Sequence, residues 1–506
     1  MDKRILKNTI ILYCRTFVTM LIALYTSRVV LDVLGVEDYG IYNLVAGIVL
    51  IFSSLSTTVS AVTQRYISYS IGEGGTEHIR MVFSTSCIIH LLMALFVLFL
   101  GETIGLWFIN NGINIPSNRL QAANIAYQGA LVVFAINIIN LVLGSLIIAY
   151  ERMSAYAYIY IMQAVLRLIN VFVLQWVGVD KLILYTILEL LVSIVVFVGF
   201  CWYCKHSFEV FGLVRAKSKT LFVEMEKFAG WNFMGATANV LYEQGANILL
   251  NRFFSLVLNA ARGITLQVSV AVNTFVSNFS IALNPQITKS YASGEIEKTR
   301  ELVMAGCKLS FYMTLFAAFP IMLNTSFLLS VWLKHVPEYA IIFVGFAVFC
   351  AILDSFTRPL HCALFASGRI RNYQVAISTI SLIRVPLLML CFYLGYSPEW
   401  IYYFVMVFII CHHLLLISIL VRRKILFPTN YLRVVIFPSF SVLAICLIIF
   451  FLFEGHKCNL VRFIAETFLS LVGVTILTYV LGVTNAEREK IRLFLLKKTE
   501  VIRHKW

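Results

Sequence analysis

The chain is 506 residues long, 60% apolar and only 13% charged, with a mean hydropathy of +0.88. So few polar residues cannot cover a water-facing surface, which excludes a soluble globular protein and implies a chain that lives in a bilayer. The formal charge of +15 then speaks for orientation and attraction to anionic lipid before nucleic acid, which is not an expected partner.

The start, Met1 to Lys7, is basic like a signal peptide, but the apolar run behind it is too long and lacks a small-residue cleavage site, so it reads as the first span. Apolar runs of about 20 residues or more, the length a helix needs to cross a hydrocarbon core, place spans near 8–34, 37–65, 80–108, 118–148, 153–178, 181–204 and 220–251. Seven more follow near 255–288, 300–333, 338–366, 370–395, 398–421, 432–453 and 461–482. Lys and Arg should gather on the cytoplasmic side. With the N-terminus inside, the segments 1–7, 65–80, 150–153, 203–227, 287–308, 367–372, 421–433 and 485–506 hold 28 of the 40. An even count keeps the basic tail on that side, which favours 14 spans and puts both termini in the cytoplasm.

Polar residues inside spans are the default functional positions, because charge in a membrane is costly and faces a polar interior. On span 1, Asn8, Arg15, Thr19 and Thr26 share one line at helical spacing, whereas Arg28 and Asp32 are one turn apart on another face and read as a local pair. Span 2 offers Ser53, Thr57, Ser60 and Gln64. Span 5 has Arg167 near its middle. Span 7 carries Asn232, Asn239, Glu243 and Asn247, and span 8 carries Gln267, Thr274 and Asn278. These rows line either a wet cavity or a helix interface, which share the same spacing. In span 10, Asp354, Arg358 and His361 share a face as a structural triad, with Pro359 able to loosen the helix. Span 11 has Arg384 near its middle. His90, His412 and His413 read as packing residues, and Pro285, Pro320 and Pro386 as bends. The 11 cysteines are scattered, and Cys201 with Cys204 finds no second pair, so no metal site is expected. Segments 205–219 and 485–506 are basic and mixed with apolar residues, which suits an amphipathic helix on the cytoplasmic surface, or for the tail equally a solvated end.

Three deep arginines without adjacent carboxylates, Arg15, Arg167 and Arg384, suggest an anionic ligand, because a guanidinium is always charged and its fork suits phosphate. Ion pairs with Glu189, Glu102 or Glu243 are the alternative. Glu243, alone on its polar face, is the first candidate for coupling to Na⁺ or H⁺, and Asp354 the second; no other cofactor is expected. No loop exceeds about 25 residues, too few for a soluble catalytic domain, so an enzyme is not expected.

The halves repeat. Tyr69-Ser70-Ile71-Gly72-Glu73 returns as Tyr291-Ala292-Ser293-Gly294-Glu295; Arg80 and Cys87 map to Arg300 and Cys307, and Arg152, Tyr156 and Arg167 to Arg369, Tyr373 and Arg384, with the offset drifting only from 222 to 217. Six spans separate equivalents, so the repeats are parallel. The expected fold is all-α transmembrane: 14 helices forming two pseudo-symmetric six-helix lobes around a central cavity, plus two extra C-terminal helices. The lobes cover 1–205 and 206–425, spans 13 and 14 cover 426–484, and a basic cytoplasmic tail covers 485–506.

Arg28 to Tyr42, Arg-Val-Val-Leu-Asp-Val-Leu-Gly-Val-Glu-Asp-Tyr-Gly-Ile-Tyr, resembles the opening signature of polysaccharide exporters in the multidrug/oligosaccharidyl-lipid/polysaccharide (MOP) superfamily. Ala261-Arg262-Gly263-Ile264, with Asn284-Pro285-Gln286-Ile287 and Tyr291 to Glu295, is similar to the eighth span of O-antigen (Wzx-type) flippases. The resemblance implies a MATE-like fold in a bacterial inner membrane, moving undecaprenyl-pyrophosphate-linked repeat units from the cytoplasmic to the periplasmic leaflet. It implies a cationic cavity in which Arg15, Arg28, Arg65 and Arg262 meet the substrate, and a monomer working beside other polysaccharide-assembly proteins. Two rivals have different signatures. A multidrug antiporter on the same frame would prefer an acidic, aromatic-lined cavity, and a glycan polymerase or ligase would carry a large catalytic outer loop.

Overall fold

The structure is a computed structural model and describes residues 3–50, 53–111, 115–212, 219–254, 256–333, 336–337, 339–453, 459–484 and 487–489. Among them no strand occurs. In chain order the helices are α1 (Lys3–Leu50), α2 (Ser53–Glu73), α3 (Thr76–Leu100), α4 (Leu106–Asn111), α5 (Leu120–Ala149), α6 (Met153–Trp176), α7 (Lys181–Ser207), α8 (Lys219–Phe253) and α9 (Leu256–Ala292). They continue as α10 (Ile296–Leu323), α11 (Thr325–Trp332), α12 (Ala340–Asp354), α13 (Thr357–Ala366), α14 (Arg371–Tyr393), α15 (Trp400–Arg422), α16 (Pro428–Tyr431), α17 (Phe437–Phe453) and α18 (Leu460–Leu477). Single π turns at Gly101–Gly105 and Leu432–Ile436 fuse α3 to α4 and α16 to α17, and a third at Thr478–Gly482 ends α18.

Helix throughout is what lipid demands, since each backbone N–H and C=O must find its partner inside its own segment. Among the described residues nine helices are long and apolar enough to cross a membrane, or up to eleven if each of two bent pairs is one span. The chain is a multi-pass membrane protein. By this criterion the expected 14 spans are not all reached, and the shortfall has a chemical cause in α2 and α8: the polar rows of Ser53, Thr57, Ser60 and Gln64, and of Asn232, Asn239, Glu243 and Asn247, dilute their apolarity.

One expected boundary is found and one expected span takes a different form. The break expected after residue 34 falls at Gly35, whose φ of 77° and ψ of 169° are non-helical and divide α1 into two helical stretches. That conformation is open to glycine and strained for residues with a Cβ. The expected span 338–366 is broken into α12 and α13, which meet at a 42° bend. Thr357 donates its hydroxyl to Asp354 Oδ1 there at 2.8 Å, and Pro359 follows in the first turn of α13, where its missing N–H costs nothing.

The helices form two compact units, one comprising residues 1–236 and 288–294, the other 237–287 and 295–506. In the first unit α5 is the central helix, packed by α7, α3, α2, α1 and α6. Its buried Tyr127, Leu131 and Ile138 meet Val97, Leu174 and Leu182. Lipid tails are as apolar as these side chains, so association rests on van der Waals fit and close approach. Gly72 shows the limit of that approach: a Cβ there would lie 2.4 Å from the Lys289 carbonyl oxygen and 2.7 Å from the Ala292 Cβ. Lys289 Nζ also pairs with the buried Glu151 at 2.8 Å. One copy of the repeated Tyr-x-x-Gly-Glu motif therefore rests on the other.

Beyond the Gly35 kink, Arg119 grips Asp38 through Nε and Nη2 at 2.8 and 2.6 Å and Asp180 through Nη1 at 2.5 Å. Asp180 also caps α7, accepting from the Leu182 and Ile183 N–H groups. The hydrogen bond from Arg119 holds the Asp180 carboxyl below its usual range.

In the second unit α10 is central, with α12, α13, α17 and α18 against it. Buried Lys308 on α10 pairs with Glu487 at 2.6 Å. Burial alone would push the Glu487 carboxyl up, but Lys308 and Thr484 together hold it below its ordinary value. Of the tail expected at 485–506, only residues 487–489 lie within the described residues.

Candidate functional site

The arginines fall into distinct environments, which the helix positions explain. On α1, Arg15 lies over the rings of Tyr156 and Tyr160 on α6, at 5.2 and 5.5 Å, and one turn later Thr19 returns its hydroxyl to the Arg15 carbonyl at 2.9 Å. On α2, buried Arg65 sits in an aromatic cage of Tyr66, Tyr69 and Phe228, with Cζ 4.4, 5.1 and 4.9 Å from the ring centres. Tyr66 donates its hydroxyl to Glu224 at 3.1 Å. These two sites belong to the first unit. The side chain of Arg28 lies outside the described residues.

Arg167 on α6 is an ion-paired residue. Its Nε and Nη2 each lie 3.1 Å from Glu189 Oε2 on α7, so the pairing that the sequence left open is the one found. Arg262 on α9, a substrate-binding candidate, and Glu243 on α8, a coupling candidate, turn out to be one site. Arg262, only 3% exposed, ion-pairs with the Glu243 carboxylate, donates to the Glu243 carbonyl at 2.9 Å and donates to Asn247 Oδ1. Glu243, the one acid of its polar row, therefore has a cation partner from the next helix.

Arg384 on α14 differs from both. It is 5% exposed and lies between two rings, with Cζ 3.6 Å from the Tyr242 centre and 3.8 Å from the Phe408 centre. Its nearest polar partner is Asn239 Oδ1, at a long 3.5 Å, while Ser381 donates to the same oxygen at 3.4 Å. Its Nε has no partner, and among the described residues no carboxylate reaches it. A guanidinium clasped by π faces keeps its in-plane N–H edge available, and that edge is the fork that grips phosphate or carboxylate oxygens.

The rest of the polar set divides. Ser60 reaches Ser145 Oγ at 3.3 Å and is a packing contact between α2 and α5. Thr57, Gln267 and Thr274 are exposed, Ser53 and Gln64 are half-buried, and Asn278 is buried. The expected triad in α12–α13 does not form. Arg358 instead donates to Asn273 on α9 at 2.7 Å, Asp354 accepts from Thr357, and His361 packs its ring 4.1 Å from Phe365. The 42° break parts Asp354, at the end of α12, from Arg358 and His361, which remain together on α13. Sequence reasoning also missed the aromatic clamps Tyr242, Phe408, Tyr156, Tyr160 and Phe228. The signal existed in the high aromatic content of the chain, but aromatic residues are equally common as packing. Among the described residues no group of acids, histidines and cysteines is arranged to hold a metal.

No family pattern matches the sequence, and no curated protein matches it as a relative. Its fold does match solved structures. A multidrug resistance MATE family transporter of the MOP superfamily, in an outward-facing conformation, superposes with a TM-score of 0.70 at 13% identity, over 84% of this chain and 95% of its own. A MATE protein in a bent conformation gives 0.70 at 15% over 84% and 95%. A MOP superfamily transporter from Pyrococcus furiosus, described as having a binding pocket of reversed polarity that suggests a different function, gives 0.67 at 14% over 85% and 96%. This chain therefore has the MATE-type fold of MOP superfamily transporters.

Proposed function

We propose that this protein is a flippase that moves a polyprenyl-pyrophosphate-linked oligosaccharide across a bacterial inner membrane, from the cytoplasmic to the periplasmic leaflet, with cavity arginines holding the pyrophosphate. The observation that carries this reading is Arg384, a buried cation faced by two aromatic rings and ion-paired with no carboxylate among the described residues. A buried charge without a counterion is costly, and an anionic ligand is the simplest source of one. Arg15 and Arg65, each faced by aromatic side chains within the first unit, are candidates in their own right for contact with a sugar diphosphate, and Arg28 is retained on its resemblance to the flippase signature. The MATE-type fold supports transport by alternating access. In this reading the full topology has 14 spans in two related six-helix lobes plus a C-terminal pair, and both termini are cytoplasmic. The protein works as a monomer beside other polysaccharide-assembly proteins and performs no catalysis itself; for coupling to a cation such as Na⁺ or H⁺, Glu243 is the first candidate site and Asp354 the second.

The same fold also carries multidrug transporters, and one experiment separates the readings. Deleting the gene should trap lipid-linked repeat units in the inner leaflet and remove surface glycan, and the wild-type gene, but not an Arg384→Gln variant that inserts normally, should restore it. Unchanged glycan in the deletion strain together with drug resistance on expression would replace the flippase with an organic-cation exporter. Growth of lipid-linked chains on the purified protein would point to a polymerase.

A further inference from the structure

The second unit holds a buried polar cluster that the arginine site does not use. Tyr373 on α14 and His412 on α15 share a hydrogen bond of 2.6 Å between the phenol oxygen and Nε2. The His361 ring lies 5.6 Å from that of Tyr373. His413 bonds Tyr431 at 3.2 Å. Phe408, one turn before His412, joins the cluster to Arg384: its ring centre is 3.8 Å from the guanidinium carbon and 5.7 Å from the His412 ring centre.

A tyrosine hydroxyl both donates and accepts, so Tyr373 donates to a neutral Nε2 and accepts from a protonated one. His412 thus keeps its partner in either state, and imidazole is the side chain whose charge changes nearest neutral pH. The charged groups around it have opposite signs. Asp354, which accepts from Thr357, carries negative charge; Arg384, which adjoins the cluster through the Phe408 ring, carries positive charge that an added proton on His412 would meet; and Arg358 is engaged with Asn273. His361 and His413, which adjoin the cluster, add like charge only when they are themselves protonated. An anion seated beside Arg384 removes the main opposing charge.

We propose that His412, partnered by Tyr373, is a proton-binding site linked to anion binding at Arg384, so that an anionic head group and a proton are taken up together. This rests on the assignment of Arg384 as an anion site and extends it, because binding linkage is reciprocal. Acidification then strengthens anion binding by up to about tenfold per pH unit while one proton enters with each anion.

The test is calorimetric titration of the purified full-length protein with inorganic pyrophosphate, from about pH 5.5 to 8, in buffers of differing ionisation enthalpy. The wild type should take up one proton more per pyrophosphate than His412→Gln does; the ionisation of the probe is common to both and cancels. His413→Gln should keep the excess. Equal proton uptake by the wild type and His412→Gln overturns the linkage while leaving the anion site standing. If His412→Gln does not fold, Tyr373→Phe decides, with a reduced excess supporting the proposal and an unchanged one overturning it. Absence of pyrophosphate binding by folded wild-type protein at every pH instead refutes Arg384 as the anion site, and the linkage falls with it.

Discussion

Arg262 and Arg384 lie in the same compact unit and are buried to nearly the same degree, at 3% and 5% exposure, yet they solve the problem of a buried charge in opposite ways. Arg262 has a carboxylate, a carbonyl and an amide oxygen around it. Arg384 has two aromatic faces and one distant amide oxygen. The first is electrically complete without a ligand; the second is not. Burial and charge alone therefore do not separate the two; the missing counterion is the ground on which Arg384, and not Arg262, is proposed as the binding residue.

The comparison breaks most sharply at function. Arg384→Gln keeps the length and removes the charge, and transport should fall at least about tenfold, the scale of one lost charge-assisted hydrogen bond; surface glycan and accumulated lipid-linked precursor report it. If Arg384 were structural in the manner of Arg262, glycan would be unchanged and heat stability would drop instead. Glu243→Gln should do the reverse at Arg262. It leaves a buried guanidinium without its carboxylate, a loss of about 2–3 kcal/mol, below the usual range for broken buried pairs because Glu243 is nearly half exposed. The thermal unfolding midpoint of the purified protein measures it, and replacing Glu243 and Arg262 together by leucine should recover much of the loss.

Smaller effects sharpen the contrast between charge and shape. Gly72→Leu forces side-chain atoms onto the Lys289 carbonyl and should cost about 1–3 kcal/mol with no change of charge. Ser60→Ala removes a polar contact to Ser145 and should cost about 0.6 kcal/mol, typical of hydrogen bonds between membrane helices. The clasp around Arg119 supplies a pH test. The folded Asp180 carboxyl is held below its unfolded value, so its contribution is fully present above about pH 4 and is lost as pH falls through the lower folded value. Asp180→Asn should flatten the acid limb of a stability profile.

Most helix positions were legible in the sequence to within a few residues, because apolar run length is a local property and lipid permits little but helix; α2, whose polar residues hide its length, runs to Glu73, well past the expected end at 65. The charged residues were legible as a list. Their pairing was not, as Arg167 and Arg384 show: they are equivalent in the repeat, yet one meets Glu189 on a neighbouring helix and the other meets Tyr242 and Phe408. Nothing in the spacing of either arginine distinguishes them. Asp354 dropped out of its row with Arg358 and His361 for a related reason, since a helical face extends only as far as the helix stays unbroken and α12 ends at Asp354.

By itself the sequence determined that this chain is helical, crosses a membrane many times and carries more positive charge at depth than its acids balance evenly. These follow from composition and from one-dimensional run lengths. Which cation is neutralised and which stays unsatisfied was decided only by tertiary structure, because a counterion or an aromatic face arrives from another helix, and the distance that sets its effect is a distance in space.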